Sequence, residues 1–275
     1  MIDFTDKIYP GADGRKSLFD CTIPSSPRGV IVFIHGYKGF KDWGCWNLMQ
    51  DFFVRNDFGF VKFNMSHNGG TIDQKIDFPD LDAFGNNTYS KELFDLNVIV
   101  NETYRLIEQE LELKIPVYLF GHSRGGGMAI LHASKDDRIA KVISLAGISD
   151  IACRFPTGEE LEIWRDEGVR FVFNARTKQE MPHYYSMYED FHLNEKNLNI
   201  EEAARKLKIP FLQIHGDMDQ SVSISEGVQL SQWTHSRLKI IKGADHTFGS
   251  SHPWNSTEMP EEMKEVCSAS VEFLN

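Results

Sequence analysis

The fold of this chain is decided by the stretch Pro116-Val117-Tyr118-Leu119-Phe120-Gly121-His122-Ser123-Arg124-Gly125. Its first half is a short apolar run, typical of a strand buried on both faces. Its second half has the form Gly-x-Ser-x-Gly and leads into a helical stretch. A strand, a sharp turn and a helix around such a serine favour a nucleophile elbow, which projects the hydroxyl above the sheet. The alternative is a glycine-rich turn that carries an ordinary surface serine.

A phosphate-binding loop is a further interpretation of these glycines, because free N–H groups at a helix N-terminus can bind anions. The residues disfavour it. A P-loop would need Gly-Lys-Ser or Gly-Lys-Thr, whereas the chain has Gly126-Gly127-Met128, and the dinucleotide pattern Gly-x-Gly-x-x-Gly is also missing.

Similar apolar runs recur on both sides of this stretch, with longer amphipathic segments between them. The runs cover 29–34, 59–64, 116–120, 142–146, 210–214 and 238–241. The amphipathic segments cover about 43–55, 91–113, 124–134, 223–234 and 260–273. This alternation predicts an α/β fold with a mostly parallel central sheet and helices on both faces. Two short pieces, 6–9 and 16–22, are predicted to form an edge hairpin ahead of it.

The chain has 275 residues and no linker or internal repeat, so we predict a single domain over 1–275. One segment, at about 150–207, is polar and aromatic and contains no central-strand run. Because it is too long for an ordinary connection, we predict a helical, cap-like insertion that covers one end of the sheet.

Charge and composition disfavour several classes of partner and cofactor. Lys and Arg number 29 against 40 Asp and Glu, so the net charge is −11, which disfavours nucleic acids and anionic membrane surfaces as partners. The four cysteines are scattered and no metal-ligand motif is present, so we expect no metal and no cofactor. The N-terminus lacks a secretory pattern and no apolar run reaches about 18 residues, which predicts a cytoplasmic protein. The oligomeric state is left open.

A serine hydroxyl is a weak nucleophile near pH 7, so it needs a base and a third group that orients the base. His246 follows the apolar run 238–241, and Asp217 and Asp219 follow the run 210–214. Both runs are predicted parallel strands, and functional groups of open α/β sheets gather at the carboxyl ends of such strands.

Four strings carry a resemblance to a known family, namely His35-Gly36-Tyr37-Lys38-Gly39, Gly121-His122-Ser123-Arg124-Gly125, His215-Gly216-Asp217-Met218-Asp219 and Gly243-Ala244-Asp245-His246. With them, and with the chain order Ser, Asp, His, the sequence resembles an α/β-hydrolase over essentially its whole length. Within that superfamily it is similar to the compact esterases allied to dienelactone-hydrolase and prolyl-oligopeptidase-like catalytic domains, including feruloyl or cinnamoyl esterases.

The resemblance implies Ser123 as nucleophile, His246 as general base and then acid, and Asp219 as the orienting carboxylate, with Asp217 as a competing candidate. It also implies that the backbone N–H groups of Tyr37 and Arg124 form an oxyanion hole. The expected activity is a serine hydrolase that cleaves small-molecule carboxylic esters through an acyl-enzyme. The alternatives are an acyltransferase, thioesterase or small peptidase with the same triad, or a non-catalytic ligand-binding homologue.

Other residues receive weaker predictions. Tyr184, Tyr185 and Tyr188 of the insertion are candidates for a substrate-binding aromatic wall, and the alternative is that they pack the insertion onto the sheet. His35 and His122 are expected to be structural. His67 follows a predicted strand and is either a residue of the site or a hydrogen-bonding loop residue.

Overall fold

A computed structural model describes all 275 residues. The ten strands are β1 (Ile2–Pro10), β2 (Lys16–Ile23), β3 (Gly29–Ile34), β4 (Phe58–Phe63), β5 (Val117–His122), β6 (Ile139–Leu145), β7 (Val169–Asn174), β8 (Gln179–Tyr184), β9 (Phe211–Gly216) and β10 (Arg237–Ile241). Eight of them form the central sheet in the order β1-β2-β4-β3-β5-β6-β9-β10. The pairs β1/β2 and β2/β4 are antiparallel and the others are parallel. The predicted mostly parallel sheet and its edge hairpin are confirmed.

Helices cover both faces of this sheet. They are α1 (Trp46–Arg55), α2 (Leu81–Gly85), α3 (Tyr89–Arg105), α4 (Arg124–Ala133), α5 (Glu159–Glu167), α6 (Ser186–Leu193), α7 (Ile200–Lys206), α8 (Ile224–Trp233) and α9 (Glu261–Leu274). On one face Leu96 of α3 and Met128 of α4 are fully buried. On the other face Phe53 of α1 and Val266 of α9 are fully buried. The all-apolar strands between these layers therefore reflect burial on both sides. None of the helices is long and apolar enough to cross a lipid bilayer.

The insertion between β6 and β9 differs from the prediction. Besides α5, α6 and α7 it holds an antiparallel hairpin of β7 and β8, which forms its own two-stranded sheet. In β7, Arg170 and Val172 face inward, while Phe171 and Phe173 are 59% and 53% exposed. A search for fully apolar runs misses such a strand because its residues alternate between two different environments.

A buried ion cluster anchors the loop that follows β3. The Lys41 Nζ atom lies 2.8 Å from Asp20 Oδ2 and 2.7 Å from Asp42 Oδ2, and Lys62 Nζ lies 2.8 Å from the same Asp20 oxygen. The Lys41 amide also donates to Asn64 Oδ1 at 2.7 Å. Removing one partner of a buried ion pair leaves an uncompensated charge, so these contacts hold the loop in one place beside β4.

Candidate active site

Ser123 lies at the sharp turn between β5 and α4, with φ 56° and ψ −120°. A residue with a side chain rarely adopts such a conformation, and it persists only where the surroundings impose it. Here they do so by close packing. A Cβ atom added to Gly121 would lie 2.1 Å from the Gly125 carbonyl oxygen, and one added to Gly125 would lie 2.3 Å from the Ile34 carbonyl oxygen. The two glycines of the Gly-x-Ser-x-Gly string therefore let the turn pack against its own helix and against β3.

His246 lies on the loop after β10 and connects Ser123 to Asp219. Its Nε2 atom is 3.0 Å from Ser123 Oγ, and its Nδ1 atom is 2.8 Å from Asp219 Oδ2. An ionised carboxylate only accepts hydrogen bonds, so Nδ1 carries the proton and Nε2 accepts one from the serine hydroxyl. The structure therefore brings the three predicted residues together in an arrangement that can activate the serine.

The Asp219 side chain is fully buried behind His246. Its Oδ1 atom accepts the N–H groups of Ser221 and Val222 at 2.8 and 2.9 Å, and the Nε2 atom of His215 lies 3.4 Å from its Oδ2 atom. Burial by itself disfavours the charged carboxylate, but the hydrogen bonds from His215, His246 and the Val222 amide outweigh it. They hold the pKa of Asp219 well below its ordinary value. Asp219 is therefore ionised whenever the imidazole needs a negative partner.

The neighbouring acids make other contacts. Asp217 accepts the Gly243 N–H at 2.5 Å, and Asp245 accepts the N–H groups of Thr247 and Gly249 at 2.9 and 3.1 Å. Each of these carboxylates thus stabilises the loop that carries His246. The hydrogen bond to the imidazole comes from Asp219 and not from the competing candidate Asp217.

Two backbone amides lie beside Ser123. The loop after β3 approaches the serine so closely that a Cβ atom on Gly36 would lie 2.9 Å from the Ser123 Cβ atom. Tyr37 follows this glycine, and its N–H donates to no protein acceptor. Arg124 opens α4, where N–H groups have no acceptor within the helix. Both N–H groups are thus available to an oxygen bound next to the serine.

Ser123 and His246 line a cleft of about 380 Å³ beneath the insertion. Aromatic walls come from Tyr37, Tyr89 and Phe155. The Tyr37 hydroxyl lies 2.8 Å from His183 Nε2 on β8, which links the loop after β3 to the insertion. A second cavity, of about 240 Å³, also includes Tyr37 and His246 but not Ser123.

The structure does not bring the three predicted substrate-binding tyrosines to this cleft. The Tyr184 hydroxyl donates to Asp82 Oδ1 at 2.9 Å. Tyr185 packs against Trp164 at 5.4 Å between ring centroids and against Tyr188 at 5.3 Å. These side chains contact other residues of the insertion and α2, and none of them lines the cleft. Tyr184 follows His183 on β8, so the two side chains point to opposite faces of the hairpin.

The other histidines make structural hydrogen bonds. His122 Nε2 lies 2.9 Å from the His246 carbonyl oxygen and supports the histidine loop from below. His35 Nδ1 contacts the Gly36 carbonyl oxygen at 2.9 Å, and its Nε2 accepts the Met65 N–H at 3.1 Å. His67 does not line the cleft and contacts Ser66 Oγ at 2.9 Å.

Several residues of the insertion line the cleft although the sequence did not indicate them. They are Arg154, Phe155, Arg170, Val172, His183 and Met187. One signal for them was present. After Gly168, whose φ is 74°, the residues Val169–Asn174 include two valines and two phenylalanines, which are residue types enriched in strands.

No family model matches this chain. One curated relative, "Uncharacterized peptidase YtmA" of Bacillus subtilis, is 29% identical over 131 residues. That segment covers 47% of this chain and 45% of the relative, so the match spans less than half of the relative's length.

Solved structures match along the whole chain. Est1E from Butyrivibrio proteoclasticus with ferulic acid bound has a TM-score of 0.69 at 20% identity, covering 98% of both chains. A putative hydrolase from Agrobacterium vitis has a TM-score of 0.72 at 14% identity, covering 100% of this chain and 99% of the other. Dienelactone hydrolase from Anabaena variabilis has a TM-score of 0.63 at 17% identity, covering 99% and 96%. With this likeness, the parallel sheet and the serine turn after β5, the chain has the α/β-hydrolase fold.

Proposed function

We propose that this chain is a serine hydrolase that cleaves carboxylic esters through an acyl-enzyme intermediate. The observation that carries the proposal is the continuous hydrogen-bond chain from Ser123 through His246 to Asp219, whose serine end opens into a cleft. A strained serine with a base at 3.0 Å and a buried ionised carboxylate behind that base is an activated nucleophile.

In the first half-reaction the Ser123 oxygen attacks the ester carbonyl carbon while His246 Nε2 takes the hydroxyl proton. The carbonyl oxygen becomes an oxyanion, which the N–H groups of Tyr37 and Arg124 stabilise. The carbon–oxygen bond to the alcohol then breaks, and His246 returns the proton to the departing alcohol. The acyl group remains bound to Ser123.

In the second half-reaction water takes the place of the alcohol. His246 removes a proton from the water, the hydroxide attacks the acyl-enzyme, and Ser123 leaves with that proton as the acid is released. Asp219 stabilises the imidazolium in both halves and holds the tautomer that presents Nε2 to the serine.

Esters are the proposed substrate class for two reasons. Est1E, which shares the fold, is a protein with ferulic acid bound, and esterases release carboxylic acids of that kind. The cleft of this chain has aromatic walls and about 380 Å³ of space, which suits a small acyl group. A peptidase is the second candidate, because the curated relative is named as one. Matched 4-nitrophenyl ester, thioester and anilide substrates distinguish the two, and we expect the ester to give the highest kcat/KM.

Labelling with a fluorophosphonate, followed by intact-mass spectrometry, tests the proposal directly. We expect one adduct on the parent protein, no adduct on Ser123→Ala and much slower labelling of His246→Ala. Ser268→Ala is the matched control, because Ser268 lies on α9 and its hydroxyl donates to the Lys264 carbonyl oxygen. If the folded parent protein forms no adduct, or if Ser123→Ala is labelled as fast as Ser268→Ala, the proposal is wrong.

A further inference from the structure

The cleft beside Ser123 has an unusual charge for this protein. The chain carries a net charge of −11, yet no aspartate or glutamate lines the cleft, whereas three arginines do. They are Arg124, Arg154 and Arg170. A positive lining in an acidic protein attracts anionic ligands locally, although the whole molecule repels them.

Two of the three arginines are already neutralised. Arg124 Nη1 lies 3.0 Å from Glu92 Oε1, and its guanidinium is sandwiched between the rings of Tyr37 and Tyr89. Arg154 forms an ion pair with Glu226 through both carboxylate oxygens. These side chains shape the cleft, but their charge is compensated within the protein.

Arg170 has no such partner. It stacks on Trp164 with its guanidinium 4.7 Å from the ring centroid, and its buried Nε atom has no hydrogen-bond partner. A buried polar atom without a partner costs free energy. Because Arg170 lines the cleft and forms no ion pair within the protein, its guanidinium is the group there that an anionic ligand can neutralise. Stacking on Trp164 fixes the plane of the guanidinium and reduces the entropy that binding would cost.

The protonation state of His183 determines whether a further positive charge lies near Arg170. Burial, and after it the nearby cations, together lower the pKa of His183 to about 3. These cations are Arg124, Arg170 and Lys38. His183 is therefore neutral at neutral pH and leaves the charge of Arg170 uncompensated. Burial also lowers the pKa of Arg170, and it outweighs the opposing charge of Glu160, which forms no ion pair with the guanidinium.

We propose that the acyl part of the ester carries a carboxylate, which binds to the guanidinium of Arg170, so that the substrates are half-esters of dicarboxylic acids. This inference rests on the proposed function. The acyl group is assigned because it stays bound to Ser123, and Ser123 lines this cleft but not the second cavity. A carboxylate is favoured over a phosphate for two reasons. The planar guanidinium can donate two hydrogen bonds to the two coplanar oxygens of a carboxylate, whereas a phosphate dianion would need a further cation to balance its second charge.

Two esters that differ only in charge test the inference. They are 4-nitrophenyl hydrogen adipate, which carries the free carboxylate, and methyl 4-nitrophenyl adipate, in which that group is esterified. We expect the kcat/KM of the parent protein to be about 10- to 100-fold higher for the anionic ester, the range typical of one charge-assisted hydrogen-bonded pair.

Variants of Arg170 identify the origin of this preference. Arg170→Gln should bring the ratio of the two kcat/KM values close to 1. Arg170→Lys keeps the positive charge but not the planar guanidinium that can donate two parallel hydrogen bonds, so it should give an intermediate ratio. Arg165→Gln is the matched control, because Arg165 is an exposed arginine of the same insertion, and it should keep the parent ratio. Equal kcat/KM values in the parent protein, or an unchanged ratio in Arg170→Gln, would overturn the inference.

A binding experiment separates this inference from the esterase proposal. Calorimetry on Ser123→Ala should show monomethyl adipate binding at least about 10-fold more tightly than dimethyl adipate. The additional Arg170→Gln substitution should remove that difference. If the parent protein hydrolyses neither adipate ester but the difference in binding is present, the anion site stands and the esterase proposal fails. If both esters bind equally to Ser123→Ala, the anion site fails whatever the activity.

Discussion

The Nδ1 atom of His246 lies 2.8 Å from Asp219 Oδ2, although 27 residues separate the two along the chain. The contact is possible because β9 and β10 are parallel neighbours in register, with Gly216 opposite Ile241. Each strand ends at the same edge of the sheet, and a short loop then carries the side chain. The loops after β9 and β10 therefore bring Asp219 and His246 together behind Ser123, although the two residues are distant in the sequence.

Replacement of the two neighbouring acids should have very different effects. Asp219→Asn should lower kcat for 4-nitrophenyl butyrate about 10⁴-fold, because the amide favours the wrong imidazole tautomer. Asp217→Asn should change kcat only a few-fold, since Asp217 contacts the Gly243 amide and not the imidazole. Steady-state kinetics on both variants, with circular dichroism to verify folding, make the comparison. A larger loss in Asp217→Asn would contradict the assignment of the acid.

Glycine replacements on α4 should show that the serine turn depends on contact with β3. In Gly125→Ala the new Cβ atom would lie 2.3 Å from the Ile34 carbonyl oxygen, which belongs to a central strand and cannot move away. We expect a loss of several kcal/mol of unfolding free energy or no folded protein. Gly127→Ala is the control, because its Cβ atom meets side-chain atoms of Ile200 and Ile148, which can move more easily than a strand carbonyl. Urea denaturation that ranks Gly127→Ala as the more damaging would contradict this account.

The Tyr37 hydroxyl should contribute less to kcat than the backbone N–H group of the same residue. Tyr37→Phe removes the hydroxyl that contacts His183 but keeps the N–H group beside Ser123. We expect kcat to stay within about threefold and the unfolding free energy to fall by about 1 kcal/mol, the usual net value of one hydrogen bond. Tyr184→Phe, which removes a hydroxyl bonded to Asp82, is the matched control for stability. A hundredfold fall in kcat for Tyr37→Phe would assign the hydroxyl a role in the reaction.

The unfolding free energy should rise with pH through the weakly acidic range because of His183. Its pKa is lowered from 6.5 to about 3 in the folded chain, first by burial and then by neighbouring cations. Between these values the unfolded chain binds a proton that the folded chain does not. This proton stabilises the unfolded chain, so the unfolding free energy is highest above pH 6.5 and decreases as the pH falls below it.

Urea denaturation at several pH values between 4 and 6.5 measures this slope. A single histidine that titrates only in the unfolded chain contributes up to about 1.4 kcal/mol per pH unit. His183→Gln should reduce the slope by about that amount, whatever it does to the stability at pH 7. The same slope in the parent protein and the variant would show that His183 takes up its proton at the same pH in the folded and unfolded chains, and would contradict the prediction.

The residues that could be predicted from the sequence are those whose role is set by local pattern. Apolar runs and amphipathic segments predicted the strands and helices of the main sheet, because periodicity records which side of an element is buried. The string Gly121-His122-Ser123-Arg124-Gly125 predicted the serine turn, since close packing there requires glycines on both sides. His246 was predicted in the same way, from its place after an apolar run.

The tertiary structure alone decided what depends on distant partners. Asp217 and Asp219 are two residues apart, and only the path of the loop determines which carboxylate reaches His246. The positions of Tyr184, Tyr185 and Tyr188 were equally open, because aromatic side chains at helical spacing pack as readily in an insertion as in a cleft. The hairpin of β7 and β8 places Arg170 instead in the cleft that Ser123 lines, and this placement depends on how the insertion folds over the sheet and on no local pattern. Local sequence determines which surfaces of an element are buried, whereas the arrangement of whole elements determines which side chains meet.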